Sequence, residues 1–396
     1  MTEQLFSGAP TLTEEQIRGR FIPFSSLKYS TEAFIDYCIP ECSPKYNYAL
    51  IGAGVSQSPK QPVSLREKHG FQLGGIAMPH GKRNPPHMHF TAEVFICTRG
   101  NWEMHWGFNP GHQTAEIGEG DILTVPTWIY RGFKNVGVDD SFMFTALGRD
   151  STGGILWGPS TLELARNNGV QLTDDYQIVD QNAGQQWTPD MKPLKPMTEE
   201  EIAALRVWSA QEMRKRVVRF ADLEWSANAT LDAALPGRGA QLAPVIGLGM
   251  SEDRNHQASV ANAHGFSIEW LKLAPGGSLS RHRLAEKQAL VVYQGEVLIS
   301  VEGGQSGASK EASTVTTIAA KGLSTGWDSF AMPADCWRSY QNQGNRDAVV
   351  VLITAGDARK RIIWADEVSM AAAQLGRAID ANGYVGPKYF IDRAQN

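Results

Sequence analysis

Residues 81–93 read Gly81-Lys82-Arg83-Asn84-Pro85-Pro86-His87-Met88-His89-Phe90-Thr91-Ala92-Glu93, and Gly100 follows. His87, His89 and Glu93 all carry odd numbers. Side chains two apart on a strand share a face, so the three can point together into one interior. Two imidazoles and a carboxylate suit Fe(II), Mn(II), Ni(II), Cu(II) or Zn(II). With open positions left over, two His and one carboxylate form the facial set of non-haem iron oxygenases. A metal held there would polarise an oxygen ligand or O2. A polar cluster satisfied by its own hydrogen bonds is the alternative.

Working outward, the chain is written twice. Lys68-His69-Gly70-Phe71 returns 195 positions later as Ala263-His264-Gly265-Phe266. Gly81, His87 and Gly100 return at the same offset as Gly276, His282 and Gly295. Beyond them Asp121, Pro126 and Trp157 return as Asp328, Pro333 and Trp364, now 207 positions on. The extra residues fall in the polar stretch Glu302 to Thr317, expected to be a surface loop. The flanks repeat too. Thr13-Glu14-Glu15-Gln16 and Thr198-Glu199-Glu200-Glu201 are capping-box helix starts. Arg20 to Ser30 resembles Arg216 to Ser226, and Ser160 to Asn168 and Asp366 to Ile379 read as closing helices. Between the flanks run short alternating strands with Gly turns, such as Glu93 to Cys97, Trp102 to Trp106, Leu290 to Tyr293 and Val297 to Val301. That pattern predicts an antiparallel barrel or jelly roll in each half. The expected division is an N-terminal domain over 1–170, a Pro-, Asp- and Gln-containing linker over 171–197, and a C-terminal domain over 198–396.

Composition bounds the function. The 396 residues carry 37 Lys and Arg against 42 Asp and Glu, a net charge of −5. This mild acidity, without a basic patch, argues against nucleic acid as a partner. The run Ala348 to Ala355 is of strand length, far short of the roughly 20 residues of a membrane span. The N-terminus lacks a charged-then-apolar signal pattern, and the four cysteines (Cys38, Cys42, Cys97 and Cys336) are sparse, which fits reduced thiols in a cytoplasmic protein. Cys38 and Cys42 have no second pair to complete a metal site.

The stretch from Gly81 to Gly100 resembles the first motif of the cupin superfamily, G-x5-H-x-H-x3-E-x6-G, at every fixed position. The second motif, G-x5-P-x-G-x2-H-x3-N, is met by Gly120, Pro126 and Asn135, but Trp128 stands for its Gly and Arg131 for its His. The resemblance covers both halves and implies an all-β bicupin, two tandem double-stranded β-helix barrels with short flanking helices. The second barrel is degenerate: Leu284, Gln288 and Arg338 replace the second His, the Glu and the third His, leaving His282. His282 reads as a relic, a core histidine or a pocket group.

Two readings of Arg131 follow. It reaches past a metal to clamp a substrate carboxylate, or it pairs with Glu93 in a barrel without metal. Arg338 at the equivalent place favours a structural or anion-binding role. Phe95, Trp106 and Trp128 are further substrate-contact candidates among the aromatic residues, and Cys97 shares the parity of Glu93. His105 is a candidate replacement ligand, though a lone strand His is more often packed. Asp121 and Asp328 are expected to order the turn before a strand, and Trp157 and Trp364 to anchor packing.

Bicupins with one working and one degenerate barrel resemble the gentisate, salicylate and hydroxynaphthoate ring-cleaving dioxygenases. That resemblance implies one divalent metal in the first barrel, with Fe(II) favoured, acting on a small, aromatic or other, carboxylate. It implies His87, His89 and Glu93 as ligands, Arg131 as a clamp, and a homodimer or higher oligomer. Two other readings stay open: metal chemistry of another class (isomerase, lyase, decarboxylase or hydrolase), and a non-catalytic binding protein, for which seed-storage bicupins are the precedent.

Overall fold

The computed structural model describes residues 12–108, 113–303, 314–324 and 326–394. The chain forms two compact units. One comprises Leu27–Asp222 and the other Leu223–Asn396 together with the segment that ends at Ser26. Each is built of antiparallel sheet, as the alternation predicts. Among the described residues no helix is long and apolar enough to cross a membrane.

In the unit Leu27–Asp222, one sheet runs in the order Val217–Val218, Ile122–Val125, Glu93–Arg99, Ser141–Gly148, Phe71–Met78, Tyr46–Ile51, Tyr29–Ser30. The other runs Ile155–Trp157, Arg83–His89, Arg131–Asn135, Trp102–Trp106, Thr114–Ile117. Inward side chains of both meet in one core, with Phe95, Cys97, Leu123 and Met143 from the first sheet against Trp102, Met104 and Phe133 from the second. The motif glycine Gly100 closes the turn between two strands at φ 81°, where a Cβ would lie 1.9 Å from Ser141 Oγ, so only glycine fits.

The second unit repeats the plan in the order Ala240–Ile246, Phe266–Leu273, Ala348–Ala355, Gln288–Gly303, Arg338–Asn342, Ser278–Arg283, Ile363–Trp364. Here Gln288–Gly303 is one 16-residue strand that passes from partner Ala348–Ala355 to partners Arg338–Asn342 and Thr314–Leu323. The polar stretch expected as a loop is therefore strand at both ends, through Gly303 and from Thr314, because the long hairpin carries its pairing outward. Residues 304–313 lie outside the described residues.

The repeated flanks have a definite place. Val217–Val218 pairs with Leu123–Ile122 in the first unit, and Phe21–Ile22 pairs with Phe330–Ser329 in the second. Asp121 accepts from Gly118 N–H at 3.0 Å, ordering its turn, and from Phe220 N–H at 3.1 Å. Asp328 likewise accepts from Lys321 and Phe24 N–H, both at 3.0 Å. Both capping boxes form, at Thr13–Gln16 and Thr198–Glu201. The closing helices are Pro159–Asn167 and Asp366–Gln374; the second stops short of Ile379 because Gly376 turns the chain at φ 73° into the strand Arg377–Ile379. The stretch read as a linker is packed onto the first unit. Val170–Leu172 pairs with Ile178–Asp180, and Leu172, Ile178 and Leu194 pack in the cluster around Trp157.

Candidate metal centre

Strand Arg83–His89 carries His87 and His89, and the next strand opens with Glu93. One ligand atom from each lies within 4.8 Å of the others, and the side chains are buried, at 2%, 2% and 5% exposure. Strand parity accounts for His87 and His89, and Glu93 joins them from the next strand, across the bend at 90–92. The backs of the imidazoles are occupied. His87 Nδ1 lies 2.9 Å from the Pro85 carbonyl oxygen, and His89 Nδ1 lies 3.4 Å from that of Gly154. A carbonyl only accepts, which puts the His89 proton on Nδ1 and leaves its Nε2 lone pair bare, whereas His87 Nδ1 also meets a donor, the Asn84 side-chain amide, at 3.0 Å. His89 Nε2 is 3.4 Å from Glu93 Oε2, and that oxygen is buried without a hydrogen-bond partner. Two neutral imidazoles beside an orphaned carboxylate oxygen fit a divalent cation.

The electrostatics agree. Burial, then neighbouring positive charge including Arg131, holds both histidines well below their usual pKa, so both imidazoles are neutral. Burial pushes Glu93 up to about 7 against the pull of Arg131. Arg131 itself is lowered to about 10 by burial, with Glu93 opposing.

Arg131 sits opposite His87 in the ladder, its Nε 3.7 Å from Glu93 Oε2 and its Nη2 donating to the Pro126 carbonyl at 3.0 Å. Arg338 repeats this, opposite His282 with Nη1 donating to the Pro333 carbonyl at 3.3 Å. The other substrate-contact candidates are elsewhere. Phe95 is core, edge-on to Phe133 at 5.5 Å. Trp106 and Trp128 line a separate groove of about 260 Å³ with Tyr130, Phe108, Leu205 and Trp208. Trp106 Nε1 donates to Gln113 there, while Trp128 is 48% exposed and edge-on to Phe90. His105 faces Gly132 in the ladder and is not part of the converging set.

A chamber of about 60 Å³ adjoins the triad. Asn47, Gln61, Gln72, Gly74, Thr145 and the loop Gly52–Ser56 form much of its wall. None of these emerges from motif reading. One signal was available: Ile51-Gly-Ala-Gly-Val-Ser56 returns 195 positions on as Ile246-Gly-Leu-Gly-Met-Ser251. A buried ion pair also backs the site. Lys45 Nζ donates to Asp36 Oδ2 and to Asn84 Oδ1, each at 2.5 Å, and Asn84 Nδ2 lies 3.0 Å from His87 Nδ1.

The second barrel holds no such donor set among the described residues. His282 Nδ1 keeps the bond to the carbonyl two residues back, at 2.7 Å from Ser280 O. Gln288 donates to Thr354 Oγ1 at 2.8 Å and accepts from Tyr340 Oη at 3.0 Å, a polar chain in the place of the carboxylate.

No family model matches the chain, and no curated protein matches it in sequence. Solved structures do match. Vicilin from Capsicum annuum shares 10% identity at a TM-score of 0.52, covering 87% of this chain and 88% of that one. Vicilin from Solanum melongena shares 12% at 0.52, over 89% and 88%. The formate complex of oxalate decarboxylase from Lactobacillus farciminis shares 12% at 0.49, over 88% of each chain. The two vicilin matches support the bicupin fold, and nothing matched supports the narrower dioxygenase resemblance. With a jelly roll formed in each half, the chain has the two-barrel fold of the bicupins.

Proposed function

We propose that the first barrel is a mononuclear metal centre acting on a small carboxylic acid. The observation that carries this reading is the convergence of one ring nitrogen each from His87 and His89 and a Glu93 oxygen beside a buried chamber. The metal, Fe(II) by preference, would supply Lewis acidity and open positions for a substrate oxygen and O2. The protein's part is to hold the two imidazoles neutral and oriented, to keep Glu93 charged beside Arg131, and to exclude bulk water. A dication added to neutral histidines and a Glu93–Arg131 pair leaves net positive charge in a buried space, which favours an anionic ligand.

A chamber of about 60 Å³ holds only a few waters, each of which takes about 30 Å³ in the liquid. That suits a short-chain acid better than a hydroxylated aromatic one, and the aromatic residues that suggested a ring belong to the other groove. Within this reading we favour a dioxygenase-like oxidoreductase. The tight chamber also favours a second reading, in which the same acid is decarboxylated, isomerised or cleaved with no second substrate.

One experiment separates these. Protein loaded with Fe(II) is expected to carry one equivalent per chain and to consume O2 with a member of a panel of short-chain acids. Turnover that persists without O2 selects the second reading. Failure to retain any divalent metal overturns both.

A further inference from the structure

We infer that Gly74 gives the first barrel its ligand chamber, and that a small anion reaches the metal donors past the loop Gly52–Ser56. The inference rests on the metal-centre reading and deepens it, because it names the residue that sets the size of ligand admitted.

The two barrels supply the control. Gly74 pairs with Thr145 across the ladder, and Thr145 also faces Phe95 on the strand that begins with Glu93. The equivalent pair in the second barrel is Glu269 with Leu352. Glu269 is fully buried and its Oε1 accepts from Met250 N–H at 2.9 Å. A Cβ on Gly249, the counterpart of Gly54, would lie 2.3 Å from the Glu269 carboxyl carbon. The carboxyl group therefore fills the space under the repeated Gly-x-Gly loop of that barrel.

In the first barrel nothing projects from position 74, and the space under the loop is the chamber. The loop is tied from the side instead: Gly54 N–H donates to Gln72 Oε1 at 2.5 Å, and Thr152 Oγ1 donates to the Gly54 carbonyl at 3.3 Å. Both glycines of the loop have positive φ, 72° at Gly52 and 65° at Gly54. On its far side lies an open cleft of about 600 Å³. Gly52–Ser56, Gln72 and Ile155 line both spaces, so the loop is the wall between them.

The test uses full-length protein loaded with Co(II), whose visible spectrum reports both the ligand set and displacement of solvent by azide. Gly74→Leu is expected to retain one cobalt per chain, with cobalt affinity within about threefold of the parent, while azide affinity falls at least tenfold. If Gly74→Leu does not fold, Gly74→Ala serves. Its Cβ would lie 3.0 Å from the Tyr48 carbonyl oxygen and 3.1 Å from Thr145 Oγ1, and azide affinity should fall about threefold. Gln72→Leu unties Gly54 and should raise the azide association rate at least threefold. Unchanged azide affinity in a cobalt-loaded Gly74 variant overturns the role of Gly74, and an unchanged rate in Gln72→Leu overturns the route. A parent that takes up no cobalt overturns the metal centre itself, and this inference with it.

Discussion

The two barrels share a scaffold and differ in what fills it. Asn135 donates to the carbonyls of Met78 and Asp139, and Asn342 donates to those of Leu273 and Arg346. Gln57 accepts from Ile35 N–H and Trp157 Nε1, and Glu252 accepts from Leu231 N–H and Trp364 Nε1. The arginine–proline bond recurs as well. Polar residues kept in both copies hold turns and buried backbone groups together. The proposed chemistry therefore rests on positions where the copies part: His89 against Leu284, Glu93 against Gln288, and Gly74 against Glu269.

The comparison fails first if metal does not follow the donors. His89→Ala should lower metal content from one equivalent per chain to none, since two remaining donors make a weak site. His282→Ala should leave metal content unchanged. Elemental analysis after dialysis against a weak chelator checks both, and loss of metal on changing His282 would mean that the barrels had been misassigned.

The next largest effect concerns how each barrel holds its buried aspartate. Asp36 is neutralised by Lys45, whereas Asp232, its counterpart, accepts from Ser280 N–H and Thr230 Oγ1, both at 2.7 Å. Lys45→Met strands a buried carboxylate and should destabilise the first unit by about 3–5 kcal/mol. Asp36→Leu combined with Lys45→Met should recover most of that. The readout is the urea midpoint of each variant, and a single variant as stable as the parent would show the pair to be dispensable.

Glu269 gives a smaller, pH-dependent signature confined to the second unit. Burial pushes its pKa up to about 8, with the Met250 N–H and Lys360 pulling the other way. The folded value lies above the unfolded one, so its stabilisation is complete below the unfolded pKa, near 4.5, and is lost as pH rises through about 8. Glu269→Gln should therefore gain on the parent between pH 5 and 9, by roughly 1–3 kcal/mol after allowing for water penetration. Parallel stability curves for parent and variant would refute a buried, protonated Glu269.

The parts legible in the sequence are those fixed by local chemistry. Strand parity put His87 and His89 on one face without tertiary information, Glu93 came with the motif although it sits on the next strand, and the duplication exposed both barrels. The capping boxes announced two helices outright. What stayed hidden depends on absence or on distance. Gly74 matters because it has no side chain, and glycine in a strand usually signals a bulge rather than a chamber. Lys45 and Asn84 are 39 residues apart, and only the fold brings them together. Crowded aromatic residues around motif 2 suggested a pocket, but strand alternation sends Phe95 into the core and the tight turn at Trp128 throws that ring outward.

Trp128 sets the smallest expected effect and probes the edge of the comparison. It holds φ 57°, and Asp335, at the same turn in the second barrel, holds φ 55°. Aspartate tolerates this left-handed region; a bulky aromatic residue is strained there by about 1–2 kcal/mol. Trp128→Asn removes that strain without the added chain entropy of glycine, but gives up the edge contact with Phe90, worth about 0.5–1.5 kcal/mol. The two terms nearly cancel, so stability should move by less than about 1 kcal/mol. If the groove around Trp128 is separate from the chamber, cobalt content and azide affinity should also stay as they are. A fall in azide affinity with cobalt retained would join that groove to the metal centre. The difference between the barrels would then extend beyond their interiors to the turn that carries this tryptophan.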